Sequence, residues 1–167
     1  MTLPAKFVER VLCDLGEAEG RALCAALDGV PPVSVRVNPA KAAADALSAL
    51  EIAGQVPWCR DGRYLAVRPS FTLDPDFHAG AYYVQEASSQ FVGHLLEGVR
   101  TEGARILDLC AAPGGKTTLY ASLAGPGGLV VANEIDRRRA AVLADNVRKW
   151  GTGNVAVTTC EPRMLGD

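Results

Sequence analysis

DLCAAPGGKTT, residues 108–118, joins an apolar run to a Pro-Gly-Gly turn, a lysine and two threonines. The surrounding residues predict a strand, RILDLC, followed by a helix, GKTTLYASLAG, that GPGG closes. Gly114 and Gly115 have no side chain to block a close ligand, and Pro113 stiffens the turn. Ligands of α/β proteins bind at the carboxyl ends of strands, above a helix N-terminus. We therefore predict a ligand-binding turn here, with a tight turn that holds no ligand as the alternative.

The rest of the carboxyl-terminal part continues this alternation of strand and helix. LVVANEI predicts a second strand, DRRRAAVLADNVRKW a helix, and VAVTTC a third strand. Asp136 is the predicted N-cap of that helix and Gly151 its C-cap. Its predicted buried stripe consists of Ala140, Leu143, Val147 and Trp150. Strands that alternate with helices of this length indicate a parallel, doubly wound α/β sheet.

Two acidic residues follow the second and third predicted strands. Glu134 lies 19 residues beyond Gly115, close to the roughly 20-residue spacing at which an acid holds a ribose in dinucleotide-binding folds. Two hydroxyls that donate to one carboxylate make a strong contact because the acceptor is charged. Glu161 stands at the corresponding end of the third strand, where it would accept from an adenine amine. For both residues the alternative is a solvated glutamate.

A phosphate-binding P-loop is the competing interpretation of GGKTT. That motif requires G-x-x-x-x-G-K-[ST], and in the matching window, residues 110–117, Cys110 replaces the first glycine. A cysteine does not readily adopt the positive φ that a glycine takes in such a loop. An acid after the next strand also favours ribose over a triphosphate. We therefore favour a nucleoside ligand without a phosphate, and a nucleotide hydrolase stays as the alternative.

The amino-terminal half mixes helix and strand signals. Helices are predicted over residues 5–27, 41–53 and 85–99. The last of them carries an apolar residue at every fourth position: Ala87, Phe91, Leu95 and Val99. VSVRVN alternates apolar and polar residues, which predicts a half-buried strand, and RYLAVRP predicts another. SFTLDPDFHAGAYYV is predicted to be a loop because a proline and a glycine break its periodicity.

Composition and charge exclude several classes of protein. The chain has 167 residues, 49% hydrophobic and 22% charged, as is typical of a globular protein. Its net charge of −2 gives no overall cationic field for nucleic acid. The five cysteines are an odd number without metal-ligand spacing, so we expect reduced thiols and no zinc site. There is no signal peptide and no apolar run near 18 residues, which predicts a cytoplasmic chain with no membrane contact.

The motif CAAPGGKT closely resembles the cofactor loop of the Nol/Nop/Sun family of RNA cytosine-5 methyltransferases, C-A-A-P-G-G/S-K-T. VSVRVNPAK is similar to the family's R-V-N segment, and GAYYVQEASSQF to the stretch before its methyltransferase domain. The resemblance implies a Rossmann-like fold and methyl transfer from S-adenosyl-L-methionine to RNA, most like the bacterial members that act on ribosomal RNA. It implies that Glu134 binds the ribose and Glu161, where the family usually has aspartate, the adenine. The loop residues that would line the cofactor are Cys110, Ala111, Ala112, Pro113, Gly114, Gly115 and Lys116.

The same resemblance implies a catalytic thiolate that none of the five cysteines provides. The family's two cysteines lie in D-A-P-C and T-C-S motifs downstream of the third strand, and neither motif occurs before Asp167. We therefore expect the catalytic residues beyond residue 167 and an inactive amino-terminal portion here. The first strand would then have an open apolar edge. A non-catalytic cofactor- or RNA-binding module is the alternative.

The change to alternating strands and helices after Gly98 and Gly103 predicts three parts: a small α+β domain that helps to position RNA over 1–80, a connecting helix segment over 81–103, and the cofactor-binding half-domain over 104–167. Arg36 and Lys41 are the candidate RNA contacts of the first part. Tyr82 and Tyr83 either stack on a base or pack between domains. The Arg137–Arg139 run is expected to be solvated, with Arg139 alternatively turned toward the cofactor.

Overall fold

The computed structural model describes residues 3–41 and 47–165, and the chain divides into two compact units, Met1–Pro32 and Val33–Asp167. The first unit is a pair of helices, α1 (Ala5–Leu15) and α2 (Glu17–Asp28). A single helix over 5–27 is therefore wrong. Gly16 separates the two helices with a φ of +81°, a backbone conformation that glycine adopts without strain and that no α-helix contains.

The second unit contains an antiparallel sheet of four strands in the order β2-β3-β1-β4. The strands are β1 (Val33–Val37), β2 (Ile52–Gln55), β3 (Gly62–Leu65) and β4 (Tyr82–Val84). The core on one face of this sheet is formed by Val35, Leu50, Leu65, Phe71, Ala81 and Tyr82. Of the helix predicted over 41–53, residues 42–46 lie outside the described residues, and the last two belong to β2.

The predicted loop before β4 contains regular structure instead. A 3-10 turn (Phe71–Leu73) leads into α3 (Pro75–Ala79). The side chain of Asp74 accepts from the Asp76 N–H over 2.9 Å, and Pro75 occupies the first helical position. An acidic N-cap residue followed by proline is a typical helix start. The prediction of a loop was wrong because α3, with five residues, is too short to show a helical period.

The second unit also contains the parallel sheet that the carboxyl-terminal sequence predicts. Its strands are β5 (Arg105–Asp108), β6 (Leu129–Asn133) and β7 (Val155–Thr158), in the order β5-β6-β7. Helix α5 (Gly115–Ala124) follows β5, and α6 (Arg137–Trp150) follows β6. The predicted α/β class is confirmed. So are the Asp136 N-cap and the Gly151 C-cap, which has the left-handed conformation.

Helix α4 (Ala87–Leu95) presents its apolar stripe outward. Among the residues at every fourth position, only Ala87 is buried, whereas Phe91, Leu95 and Val99 are exposed. The first strand of the parallel sheet, β5, pairs with β6 alone among the described strands, which is the open edge expected from the sequence. Leu107 on that strand is 49% exposed.

The polar face of β1 is buried. Ser34, Arg36 and Asn38 are no more than 4% exposed. The strand was predicted to be half-buried because alternating apolar and polar residues normally indicate that one face of a strand is exposed to solvent. Here the polar face lies against α5 and α6: Asn38 Nδ2 donates to the Trp150 carbonyl at 2.8 Å and to the Gly80 carbonyl at 2.9 Å.

Candidate functional site

The loop that follows β5 approaches α6 closely. Gly114 has a φ of +108°, and a Cβ at this position would lie 3.1 Å from Leu143 Cδ1. The positive φ favours glycine at this position, and a side chain would also press on Leu143. Ala111 and Ala112 are buried beside Leu143 and Ala132, so these two loop residues turn their methyl groups into the core. Only the backbone groups of these two residues are left to face a ligand, and their contact with a cofactor stays a prediction.

The other loop residues divide into exposed and anchored positions. Cys110, Pro113 and Lys116 are exposed. Thr117, in the first turn of α5, donates its hydroxyl to Asp108 Oδ2 at 2.7 Å. This bond joins the last residue of β5 to the first turn of α5 and so fixes both ends of the loop.

Glu134, directly after β6, is a buried carboxylate with one oxygen that lacks a hydrogen bond. Its side chain is 3% exposed, and Oε1 accepts from the Asp136 N–H over 3.2 Å. Oε2 accepts no hydrogen bond from the described residues, although Arg139 Nη1 lies 3.4 Å away. A buried acceptor without a donor is costly. A ligand with adjacent hydroxyl groups would supply the missing donors, so Glu134 fits the predicted ribose contact.

Arg139 connects Glu134 to the loop. Its Nη2 donates to the Ala112 carbonyl at 2.9 Å, while Nη1 faces the Glu134 carboxylate. Arg137 and Arg138 are exposed. The run of three arginines is thus divided, and only Arg139 turns toward the candidate site, as the sequence allowed.

Asn133 is a buried polar residue beside the candidate site that sequence reasoning did not single out. Its side chain is fully buried, and Nδ2 donates to the Cys160 carbonyl at 3.0 Å and the Leu109 carbonyl at 3.4 Å. Its Oδ1 accepts from Thr158 Oγ1 at 3.0 Å and from the Cys160 N–H at 3.1 Å. Because the Asn133 amide both donates and accepts hydrogen bonds, it joins the carboxyl ends of β5, β6 and β7. The signal in the sequence that could have identified Asn133 is a polar residue at the end of the otherwise apolar strand LVVAN.

Glu161 lies three residues beyond the end of β7, and its side chain is 48% exposed. Its Oε2 is 2.5 Å from Arg163 Nε. One oxygen therefore has a partner already, and a contact between Glu161 and adenine stays a prediction.

Arg36, predicted to contact RNA, is buried beneath the loop. It is 1% exposed, and Nε donates to Gln85 Oε1 at 2.8 Å. Its Nη2 donates to Thr118 Oγ1 at 2.6 Å and to the Gly115 carbonyl at 3.2 Å. The guanidinium lies 4.5 Å from the centroid of the Trp150 ring, and burial lowers its pKa to about 10. The predicted RNA contact is wrong for Arg36, because this residue supports α5 from the antiparallel sheet.

Lys41 and the two tyrosines also make internal contacts. Lys41 Nζ donates to the carbonyls of Ala79 and Lys149, the last turns of α3 and α6, where a cation is favourable. Tyr82 is buried and donates to Asp74 Oδ2, and burial raises its pKa. Tyr83 donates to the Pro113 carbonyl at 3.1 Å. For both tyrosines, these contacts favour internal packing over stacking on a base. The Lys41 ammonium already donates to two backbone carbonyls.

Two further findings concern ions and membranes. The residues that the structure describes contain no group of three or more potential metal ligands. Within the same described ranges, no helix is long and apolar enough to cross a membrane.

Solved structures similar to this chain include a methyltransferase homologue and NSun6. A methyltransferase homologue from Pyrococcus horikoshii has a TM-score of 0.82 and 29% identity, with 98% of this chain and 55% of that chain covered. NSun6 from the same organism, solved with SFG, has a TM-score of 0.76 over 99% of this chain and 67% of its own. At 18% identity NSun6 supports the fold alone. The fold is that of the S-adenosyl-L-methionine-dependent methyltransferases.

Family models match almost the whole chain. Residues 3–87 match the N-terminal domain of 16S rRNA methyltransferase RsmF, and residues 95–166 match 16S rRNA methyltransferase RsmB/F. The chain belongs to this family of 16S rRNA methyltransferases. The predicted resemblance is therefore confirmed, and the alternative of a P-loop hydrolase is set aside. The exact division at residues 80 and 103 stays a prediction.

Curated relatives carry the name ribosomal RNA small subunit methyltransferase F. The protein of Shewanella amazonensis is 37% identical over 141 residues, and that of Klebsiella pneumoniae 35% identical over 142. Each match covers 80% of this chain and 30% of the relative. The chain therefore spans about 30% of the length of these relatives.

Proposed function

We propose that this chain is the cofactor-binding, amino-terminal portion of an enzyme that methylates C5 of a cytosine in 16S rRNA with S-adenosyl-L-methionine as the donor. The family and the curated relatives support methylation of small-subunit rRNA. The resemblance to the Nol/Nop/Sun family adds the base and its carbon atom. The observation that carries the proposal is Glu134 Oε2, a buried acceptor without a hydrogen-bond donor beside the loop 110–116.

Groups that follow the carboxyl ends of β5, β6 and β7 would hold the cofactor. Glu134 accepts from the ribose hydroxyls, and its charge strengthens both bonds. Backbone groups of Cys110–Lys116 line the rest of the ligand, because the alanine methyl groups of this loop point into the core. Arg139 forms an ion pair with the Glu134 carboxylate and orients it. Glu161 accepts from the adenine amine. When bound, the cofactor supplies an electrophilic methyl group.

Methyl transfer also requires an activated acceptor. Cytosine C5 is a poor carbon nucleophile until a thiolate adds to C6, and nucleophilic catalysis of this kind suits cysteine. Cys160 Sγ donates to the buried Asn133 Oδ1 at 3.3 Å, and Cys110 belongs to the cofactor loop. Cys13, Cys24 and Cys59 are far from both positions in sequence. We expect the thiolate in the D-A-P-C motif of a longer chain.

Calorimetry with S-adenosyl-L-homocysteine tests the proposal. The chain of 167 residues is expected to bind this demethylated product with a stoichiometry near one, and ATP not at all. No heat from the product under conditions where circular dichroism shows a folded chain would refute the proposed cofactor role.

A further inference from the structure

The carbonyl group of Pro113, in the loop 110–116, is held by two side chains from different elements. Tyr83 Oη, on β4, donates to it at 3.1 Å, and Asn146 Nδ2, on α6, donates to it at 2.8 Å. The two side chains also meet each other, since Asn146 Nδ2 lies 3.4 Å from Tyr83 Oη. Burial raises the pKa of Tyr83 above its ordinary value, so at neutral pH its hydroxyl keeps the proton that it donates. The peptide unit between Pro113 and Gly114 is therefore fixed both from the antiparallel sheet and from α6.

Arg36 holds a second peptide unit, at the start of α5. Its Nη2 donates to the Gly115 carbonyl at 3.2 Å and to Thr118 Oγ1 at 2.6 Å. Thr118 Oγ1 in turn donates to the same carbonyl at 3.1 Å, so the three groups form one cluster. Arg36 is 1% exposed, and water therefore does not compete for these bonds. The peptide unit between Gly115 and Lys116 is thus fixed from β1.

The orientation of these two carbonyl groups sets the direction of two backbone donors. In a planar trans peptide unit the N–H points opposite to the C=O. The N–H of Gly114 therefore points away from the Tyr83 hydroxyl, and the N–H of Lys116 points away from Arg36, beyond the N-terminus of α5. Within the described residues neither N–H has a hydrogen-bond acceptor, and no side chain caps this helix. Both donors are thus available to a ligand of the loop.

We propose that Tyr83 and Arg36 are positioning residues for the cofactor. By holding two carbonyls of the loop, they keep the free N–H groups of Gly114 and Lys116 directed at it. They act through the loop and not by touching the cofactor. Both lie within residues 3–87, which match the N-terminal domain, whereas the loop lies in the part that matches the methyltransferase. The inference rests on the proposed cofactor role, and it adds that cofactor affinity depends on residues from outside the methyltransferase match.

The test is calorimetry of S-adenosyl-L-homocysteine with the 167-residue chain and with variants that remove single donors. Tyr83→Phe removes only the hydroxyl and should weaken binding about two- to fivefold, because Asn146 still holds the carbonyl. Asn146→Ala should have an effect of the same size. The two changes together should weaken binding by more than the product of the single effects, because the Pro113 carbonyl then loses both donors.

Two controls separate positioning from a general loss of stability. Tyr64→Phe removes a hydroxyl of the same antiparallel sheet that makes no hydrogen bond among the described residues, and it should bind like the unchanged chain. Val35→Ala leaves a cavity in the buried core beside Arg36 and should lower the unfolding midpoint without changing Kd. Arg36→Lys lacks the planar fork that reaches both acceptors, and at temperatures where it is folded it should weaken binding about three- to tenfold.

Backbone NMR gives a readout that a purely structural role would not move. The amide signals of Gly114 and Lys116 should shift when the product is added to the unchanged chain. In the ligand-free double variant of Tyr83 and Asn146, the order parameter of the Gly114 amide should fall, while that of Val130 in the buried strand β6 stays the same.

The outcomes distinguish this inference from the proposed function. Selective weakening in the double variant, with both controls unchanged, supports the positioning role. A double variant that binds like the unchanged chain overturns that role and leaves the cofactor role standing. Equal weakening in Val35→Ala overturns it as well, since affinity would then follow stability. No binding of the product by the unchanged chain refutes the cofactor role and this inference with it.

Discussion

Arg36 Nη2 donates to Thr118 Oγ1 over 2.6 Å, and this bond joins the central region of the antiparallel sheet to the first turn of α5. The same nitrogen reaches the carbonyl of Gly115, the first residue of that helix. The two sheets of the second unit are therefore connected at the loop that holds the candidate site. The connection consists of a buried cation whose hydrogen-bond partners are neutral groups.

This connection predicts a large loss of stability when Arg36 is removed. Arg36→Leu would leave two buried acceptors, Gln85 Oε1 and Thr118 Oγ1, without the donor they have now, and the free energy of unfolding should fall by about 3 kcal/mol or more. Arg36→Lys keeps the charge but cannot form the planar fork, so it should also destabilise. Urea unfolding measures both, with exposed Arg148→Leu as a control that should cost under about 1 kcal/mol. An Arg36→Leu protein as stable as the control would contradict a structural role for Arg36.

A second prediction concerns the start of α5. Gly114→Ala places a Cβ 3.1 Å from Leu143 at a φ of +108°, so the free energy of unfolding should fall by about 1–3 kcal/mol. Affinity for S-adenosyl-L-homocysteine should fall as well, because the loop must move. Gly127→Ala is the matched control, since no heavy atom lies within 4 Å of its added Cβ and its φ is not positive. Thermal unfolding and calorimetry that give the same values for both variants would contradict this account of the loop.

Glu161 provides a third test. Glu161→Gln should weaken binding of the product because a charged acceptor becomes neutral, whereas Glu161→Asp should be tolerated or bind more tightly. Arg163→Gln removes the ion pair at 2.5 Å and should leave the carboxylate freer to accept from the adenine. If the three variants and the unchanged chain have one dissociation constant, Glu161 does not contact the ligand.

The fourth prediction is that the chain of 167 residues does not methylate RNA. The assay uses tritiated S-adenosyl-L-methionine with 16S rRNA, beside a longer chain that includes the D-A-P-C and T-C-S motifs. Only the longer chain should transfer the label. Transfer by residues 1–167 that survives Cys110→Ala and Cys160→Ala would contradict the expectation that a thiolate beyond residue 167 is needed. Transfer lost in one of those variants would assign the nucleophile to that cysteine.

Much of the parallel sheet could be predicted because its signals are local. Asp136 and Gly151 mark the ends of α6, and both caps are where the sequence indicates. Glu134 could be singled out because an acidic residue directly after a strand, at this spacing from the loop, is the residue that holds a ribose in dinucleotide-binding folds. Asn133 was missed because its importance lies in joining three segments that are distant in sequence, and no local pattern reports that.

The antiparallel sheet was predicted less completely for a related reason. Alternation in VSVRVN indicates two different faces, but it does not say what covers the polar one. Arg36 looked available for RNA because arginine is normally solvated, whereas the surrounding carbonyl and hydroxyl groups satisfy it in the interior. The short helix α3 was missed since five residues show no helical period, although Asp74, Pro75 and Gly80 mark its ends.

The exposed stripe of α4 shows the same limit. Phe91, Leu95 and Val99 have the spacing of a buried helix face, yet they are 39%, 65% and 57% exposed. Periodicity identifies an apolar face and does not identify the surface that covers it. Leu107 on the unpaired edge of β5 is exposed as well. In the described residues, Phe91 packs against the Trp58 ring with a centroid distance of 5.7 Å, whereas Leu95, Val99 and Leu107 are 49% or more exposed.

The central claim is that Glu134 receives the cofactor, and calorimetry of Glu134 variants with S-adenosyl-L-homocysteine tests it most directly. Glu134→Ala should lose about 1.5–3 kcal/mol of binding free energy, the scale of a hydrogen bond to a charged group, which is about a 10- to 150-fold rise in Kd. Glu134→Gln should also weaken binding while circular dichroism shows an unchanged fold, and exposed Glu97→Gln should bind like the unchanged chain. Equal Kd values for the unchanged chain and both Glu134 variants would contradict the ribose contact and the cofactor site built on it.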